Sequence, residues 1–179
     1  QTKQSTRISA SVFCHSWIHS KKHPTLAVGI GCFGDENSVL VDLFREVEIK
    51  QFAAAEGHYF HGHGVLSKEQ DFLFTIEHNV KRGRSDLIVR SFPELKVEAI
   101  TETNCNAAHE IVLSESGDFL WVAAGRTLES QNSGRALRFC PKTAKITDVF
   151  VSESFVTFQH IWPLSDDKCL LLPTAQQNH

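Results

Sequence analysis

Apolar residues along this chain come in short runs broken by polar turns, and the runs return at a nearly fixed period. One phrase, a serine with a polar turn and then an apolar run, reads HSKKHPTLAV at 19–28, LSKEQDFLF at 66–74, LSESGDFLW at 113–121 and LSDDKCLLL at 164–172. Its serines, Ser20, Ser67, Ser114 and Ser165, are 47, 47 and 51 residues apart. A histidine precedes each phrase by a few residues: His15, His63, His109 and His160. One unit of chain is being copied, and each copy carries a histidine at its start.

The second copy shows what the unit builds. His63–Ser67 reads as a short strand, residues 68–71 as a polar turn, and Phe72–Glu77 as a second strand rich in β-formers. A polar loop, HNVKRGRS, leads to a third strand over Asp86–Phe92 that Pro93 breaks, and the alternation in Lys96–Thr101 makes a fourth. The third copy predicts strands at His109–Leu113, Phe119–Ala124, Ala136–Cys140 and Lys145–Val151. The first predicts Phe13–Ile18, Thr25–Ile30, Ser38–Leu43 and Lys50–Ala54, and the fourth supplies two strands. No segment keeps a 3.6-residue apolar period, so little helix is expected.

Four antiparallel strands per repeat without helices predict an all-β fold, a β-propeller of four-stranded blades over 11–54, 60–104 and 107–151 with a partial blade over 156–179. A β-sandwich also has short strands and turns but does not require a fixed internal repeat. Closed propellers hold four to eight blades. Three and a half therefore predict part of a longer ring, a ring closed by self-association, or a small four-bladed ring; the first is the expectation.

Composition narrows the function classes. The 179 residues are 41% hydrophobic and 22% charged, with a net charge of −3. The missing basic excess argues against nucleic-acid or membrane-surface binding, and no apolar run approaches the roughly 18 residues that span a bilayer. The chain begins at Gln1 without an apolar leader, which reads as a mature or trimmed product. Five cysteines, Cys14, Cys32, Cys105, Cys140 and Cys169, show no C-x-x-C spacing. They are expected to act as small buried hydrophobes, with one disulfide open to an exported protein.

In a propeller the first strand of each blade lines the central channel, so His15, His61, His63, His109 and His160 are expected near one channel mouth. Imidazoles from separate blades suit a transition metal or haem, and a neighbouring carboxylate can orient them. Glu77, His78 and Asn79 come from an adjoining loop, as do Asp35 and Glu36, while Asn106 and Glu110 flank His109. Lys81, Arg82, Arg84, Arg126 and Arg135 are candidates to attract an anionic ligand, or form a solvated rim that Glu129 and its neighbours offset. The candidate ligand-binding set is Glu77, Asn79, Glu110 and Arg135. His61-Gly62-His63-Gly64 is the densest spot: two histidines two apart on an extended strand point the same way, and a slip of the repeat at Gly62 predicts a bulge. The alternative is that a histidine copied in every blade only ties blades together. No G-x-S-x-G elbow is present, and GIGCFG at 29–34 lacks the lysine and helix of a phosphate loop.

Several motifs occur in a defined order: Gly57-His58-Tyr59-Phe60, Gly62-His63-Gly64, Thr75-Ile76-Glu77-His78-Asn79, Ala108-His109-Glu110, Gly134-Arg135 and Thr157-Phe158-Gln159-His160. Over residues 25–172 this series resembles the bacterial family called domain of unknown function 1513, of the YVTN/WD40-like propeller superfamily. His78 is inserted within the family's TEN-like element, and Ala107-Ala108 replaces its glycine–proline. The resemblance implies a seven-bladed type of propeller, export to the periplasm and a genetic setting near iron uptake, but no reaction. Three functions are expected to compete: a binder of a metal, small molecule or protein partner at the histidine-rich mouth; a lactonase-like hydrolase with a channel metal on Glu77, Asn79, Asn106 and Glu110; and a pure interaction scaffold.

Overall fold

The computed structural model describes residues 8–125, 134–152, 157–165 and 168–174. The first sheet contains β1 (Cys14–His19), β2 (Leu26–Gly31), β3 (Asn37–Asp42) and β4 (Val47–Ala53). The second contains β5 (His58–Leu66), β6 (Phe72–Asn79), β7 (Arg84–Ser91) and β8 (Val97–Cys105). The third contains β9 (Ala108–Leu113), β10 (Leu120–Ala124), β11 (Arg135–Cys140) and β12 (Lys145–Val151), and β13 (Thr157–Pro163) pairs with β14 (Cys169–Thr174). In each sheet the strands are antiparallel and lie in chain order. There is no helix among the described residues, and none long and apolar enough to cross a membrane.

The first strands β1, β5, β9 and β13 adjoin one another in that order. The sheets therefore radiate from a common axis as blades of a β-propeller. Middle strands are covered on both faces, by neighbouring blades or, on the outer side of the first sheet, by Ile8, Ala10 and Val12, so they are rich in buried apolar residues, whereas the last strands β4 and β12 alternate largely between exposed and half-buried. Val28, Ile30, Leu40 and Phe52 of the first blade pack on Phe60, Leu66 and Leu73 of the second. Phe74, Ile76, Leu87 and Val89 then meet Ile111, Leu120, Val122, Leu137 and Phe139 of the third. Trp121, Ala123 and Ala136 meet Phe158 and Ile161 of the fourth sheet. Each Val, Leu, Ile or Phe among them contributes about 1.5–3 kcal/mol by leaving water.

The repeated serine has a local cause. Ser67 Oγ accepts hydrogen bonds from the amides of Asp71 and Phe72, Ser114 Oγ accepts from Phe119 N, and Ser20 Oγ accepts from His23 N. Each caps the turn between the first and second strands of its blade, the local bonding that serine offers a turn. Ser20 Oγ also donates to Gln70 Oε1 of the next blade at 2.9 Å, linking the two turns.

The second blade departs most from its sequence reading. Its inner strand begins at His58 rather than His63, because Gly62, at φ +100°, absorbs a register break between Phe60 and Gly64 without ending the strand. The loop expected over His78–Ser85 shrinks to residues 80–83. Asn79 Oδ1 caps it by accepting from Arg82 N, and Gly83 turns it at φ +63°. The longer loop after Gly125 lies largely in residues 126–133, outside the described part, and Arg126 and Glu129 lie there too. All five cysteines are unpaired; Cys105 is buried and the other four are half-buried.

Glu77 has a structural environment. Its carboxylate is fully buried, pairs with the buried Arg90 guanidinium, and accepts from Thr75 Oγ1 at 2.8 Å and from Ala55 N at 2.7 Å. Arg90 in turn sits over the rings of Phe52 and Phe60, 5.6 and 5.7 Å from their centroids. The pair thus fastens the second blade to the crossing from the first. Glu77→Ala strands a buried guanidinium and is expected to cost about 3–5 kcal/mol, with Glu77→Gln costing less. Urea unfolding of the variants measures this; an unchanged midpoint in Glu77→Ala would show the pair to be dispensable.

Candidate functional site

Each inner strand carries a break in its pairing at or beside its histidine. In β1 the register shifts between Cys14 and Ser16, around His15. In β5 it shifts between Phe60 and Gly64, around His63. The β9–β10 pairing shifts between Val122 and Ala124, opposite His109 and Glu110, and the β13 register shifts between Phe158 and His160. A regular strand sends alternate side chains into the blade interfaces. An extra residue bends the strand and re-aims a side chain, here towards the axis. The sequence betrays only one of these breaks, through Gly62.

The four rings meet as a result. Ring centroids are 4.7 Å apart for His15–His63, 4.8 Å for His63–His109 and 5.6 Å for His109–His160, all near edge-on. One ligating nitrogen from each of His15, His63 and His109 lies within 4.8 Å of the other two. His160 joins from the side, with Nδ1 3.2 Å from Glu110 Oε2, which also accepts from Ile161 N at 2.8 Å. Gly62 allows the approach of His15: a Cβ there would come within 2.9 Å of the His15 ring. Ser16 Oγ closes the contact by donating to Gly62 O at 2.6 Å.

Electrostatics keeps the core of this cluster uncharged. Burial, reinforced by His109, His15, His160 and His61, pushes His63 down to about 3. Burial and the neighbouring His160 and His15 also lower His109, against a small upward pull from Glu110. Nε2 of His63 is buried and has no hydrogen-bond partner among the described residues. Neutral imidazoles with unused nitrogens are competent ligands, because no proton has to leave first. Among the described residues this is the one group of three or more His, Cys, Asp or Glu side chains spaced to hold a metal ion.

The remaining candidates lie elsewhere. The bulge turns His61 away from a shared position with His63 and into contact with Phe33, Tyr59 and His78. Asn79 lies in a network in which His58 Nε2 is 2.9 Å from the buried Asp86 carboxylate, and Arg82 bridges Asp86 to Glu102. Arg84 donates to Asn104 Oδ1, so these loop cations serve their own blade. Arg135 begins β11 opposite Ala124, half-buried, near enough to Cys105 to act on it electrostatically. Glu77, Asn79 and Glu110 therefore belong to three separate networks, while Asn106 Oδ1 is buried without a described partner. Asp35 Oδ2 accepts from Cys32 N and shapes its own turn.

Comparison with known proteins agrees with this architecture. The family model described as "Protein of unknown function (DUF1513)" matches residues 12–143. No curated protein gives a significant match. Among solved structures, the hydrazine synthase of Kuenenia stuttgartiensis superposes with a TM-score of 0.62 at 11% identity, over 77% of this chain and 36% of that one. Dihydro-haem d1 dehydrogenase NirN, in complex with DHE, gives 0.61 at 15% identity, over 83% of this chain and 30% of that one. The chain thus spans about a third of the length of each. The propeller domain of the Trilobed protease from Pyrococcus furiosus gives 0.48 at 10% identity, over 74% and 40%.

The lowered histidines make stability depend on pH. In the unfolded chain His61 and His63 titrate near 6.5, whereas in the fold burial holds both at about 3. Between those values the unfolded state binds protons that the folded state refuses. Stability is therefore full above about pH 6.5 and falls as the pH drops towards 3. In chelator-treated protein the urea midpoint is expected to be lower at pH 5.0 than at 7.5, with a shallower decline in His61→Gln/His63→Gln. Equal wild-type midpoints at the two pH values would refute the assignment.

Proposed function

The chain belongs to the DUF1513 family of proteins of unknown function, and on that premise we propose that it is a metal-binding propeller, its channel mouth holding one divalent transition-metal ion on His15, His63 and His109. The convergence of three ligating nitrogens from three blades within 4.8 Å carries this reading. Tetrahedral coordination at about 2.0–2.1 Å needs nitrogens about 3.4 Å apart, so each ring has to tilt inwards by about an ångström. Three imidazoles without a thiolate suit the later first-row ions, with Cu2+ bound most tightly and Fe2+, Ni2+ and Zn2+ as competitors. The position left open would face the channel and accept water, a small molecule or a side chain of a partner. His160 lies beside it, and its partner, the Glu110 carboxylate, supplies negative charge there. A bare ion suits the cluster better than haem, because four rings at 4.7–5.6 Å spacings leave no slot for a porphyrin plane.

Residence in the periplasm and a place in iron handling belong to this proposal and rest on the family resemblance. Fractionation of cells carrying the complete gene tests the former. A carboxylate–amide hydrolase centre finds less support, since its four candidates are dispersed among separate contacts.

Calorimetric titration of metal-free protein with Cu2+, Ni2+, Zn2+ and Fe2+ tests the site. One equivalent is expected, with binding weakened at least about 100-fold in His63→Ala/His109→Ala. No uptake of any of the four ions by the folded wild type would sink the proposal. Gly62→Ala, which drives a Cβ against His15 at a positive φ, is expected to lose affinity and about 1–3 kcal/mol of stability. Unchanged affinity in that variant would show that His15 is not a ligand.

A further inference from the structure

A second group of rings lies beside the three-histidine cluster. Tyr59 and His78 are directly paired across β5 and β6, and their rings stack with centroids 4.8 Å apart. His61, two residues further along β5, stacks on Tyr59 at 5.9 Å and lies 5.7 Å from His78. Phe33 closes the group edge-on, 5.1 Å from Tyr59 and 4.9 Å from His61. His61 is 4% exposed, and its Nε2 is buried with no partner among the described residues. Nδ1 of His78 is likewise buried and without a described partner. One nitrogen on each of two adjacent imidazoles is thus buried beside aromatic rings without a hydrogen-bond partner among the described residues, an arrangement that calls for an occupant.

We infer that His61 and His78 form a second metal site, separate from the three-histidine cluster, for a monovalent d10 cation of the Cu(I) type. The donor set selects the ion. No third His, Cys, Asp or Glu joins these two rings within metal-binding distance among the described residues. The acid that acts on His78, Asp86, is already engaged by His58 and Arg82. A divalent ion entering here would need four or more ligands and an anion to offset its charge. A d10 monovalent ion is satisfied by two imidazoles in line and carries half that charge. The burial of His61 disfavours a hydrated ion beside its Nε2.

Tyr59 is the sole tyrosine of the chain, which makes the site readable. Protein labelled with 3-fluorotyrosine has one 19F signal, and Cu(I), being diamagnetic, leaves it sharp. Anaerobic titration with Cu(I), supplied as its acetonitrile complex, is expected to shift that signal in step with one bound equivalent. His78→Phe keeps the stack on Tyr59 but removes the nitrogen, and is expected to abolish the shift and lower the Cu(I) stoichiometry by one. His78→Leu serves if that variant does not fold. His63→Ala/His109→Ala is expected to retain the shift, which separates this site from the one proposed above. No shift in the wild type at two equivalents, a shift that survives in the His78 variant, or one that disappears in His63→Ala/His109→Ala would each overturn the inference.

Discussion

Face-to-face packing of the blades is the constraint on which the rest of this protein depends. Each middle strand has apolar residues on both faces, so each sheet must be covered on both sides; neighbouring blades cover one another, and the segment from Ile8 to Val12 covers the outer face of the first. Stacking twisted sheets around one axis brings their first strands together at the centre. The axis is then the one place where side chains from every blade can meet. A feature copied once per repeat is delivered there several times without any residue having to find its partner individually.

Delivery alone does not make a site. A regular inner strand would divide its side chains between the two blade interfaces and leave none of them on the axis. The pairing breaks around His15, His63, His109 and His160 change that, each turning one imidazole inwards. A histidine whose only task is to lock blades should end in a hydrogen bond. Nε2 of His63 instead ends in a buried space shared with other imidazoles. The cost of that arrangement appears as a histidine pushed down to about 3 and held neutral by its own burial. The fold thus carries a cluster that destabilises it in acid, which a coordinated cation would offset.

Polar residues that look chemical in isolation mostly hold this frame together. Glu77 and Arg90 neutralise each other at the root of the second blade, His58 and Asp86 pair near its edge, and the recurring serines cap turns. These roles were hard to read because the partners are far apart along the chain or the motif is shared with ordinary ligand sites. Glu77 sits in a strand end that would suit a channel metal, yet Arg90, thirteen positions later and one strand across, claims it. The serines were visible as a repeat, but only the turn geometry shows what they accept.

Repetition is legible in the order of residues alone. The 47-residue period, the apolar strands and the histidine at the head of each copy specify a propeller of four-stranded blades and mark its inner strands. Strand periodicity is local, so it survives in the order of residues. Which histidines meet depends on strand pairing and packing between blades. His61 and His63 are two apart and were expected to point together, but two uncompensated residues and a positive φ at Gly62 send one to the axis and the other against Tyr59 and His78. That outcome depends on how β5 pairs with β6 and how closely His15 approaches from the next blade. Both are properties of backbone register and close packing, which no pattern of residue types along a single strand records.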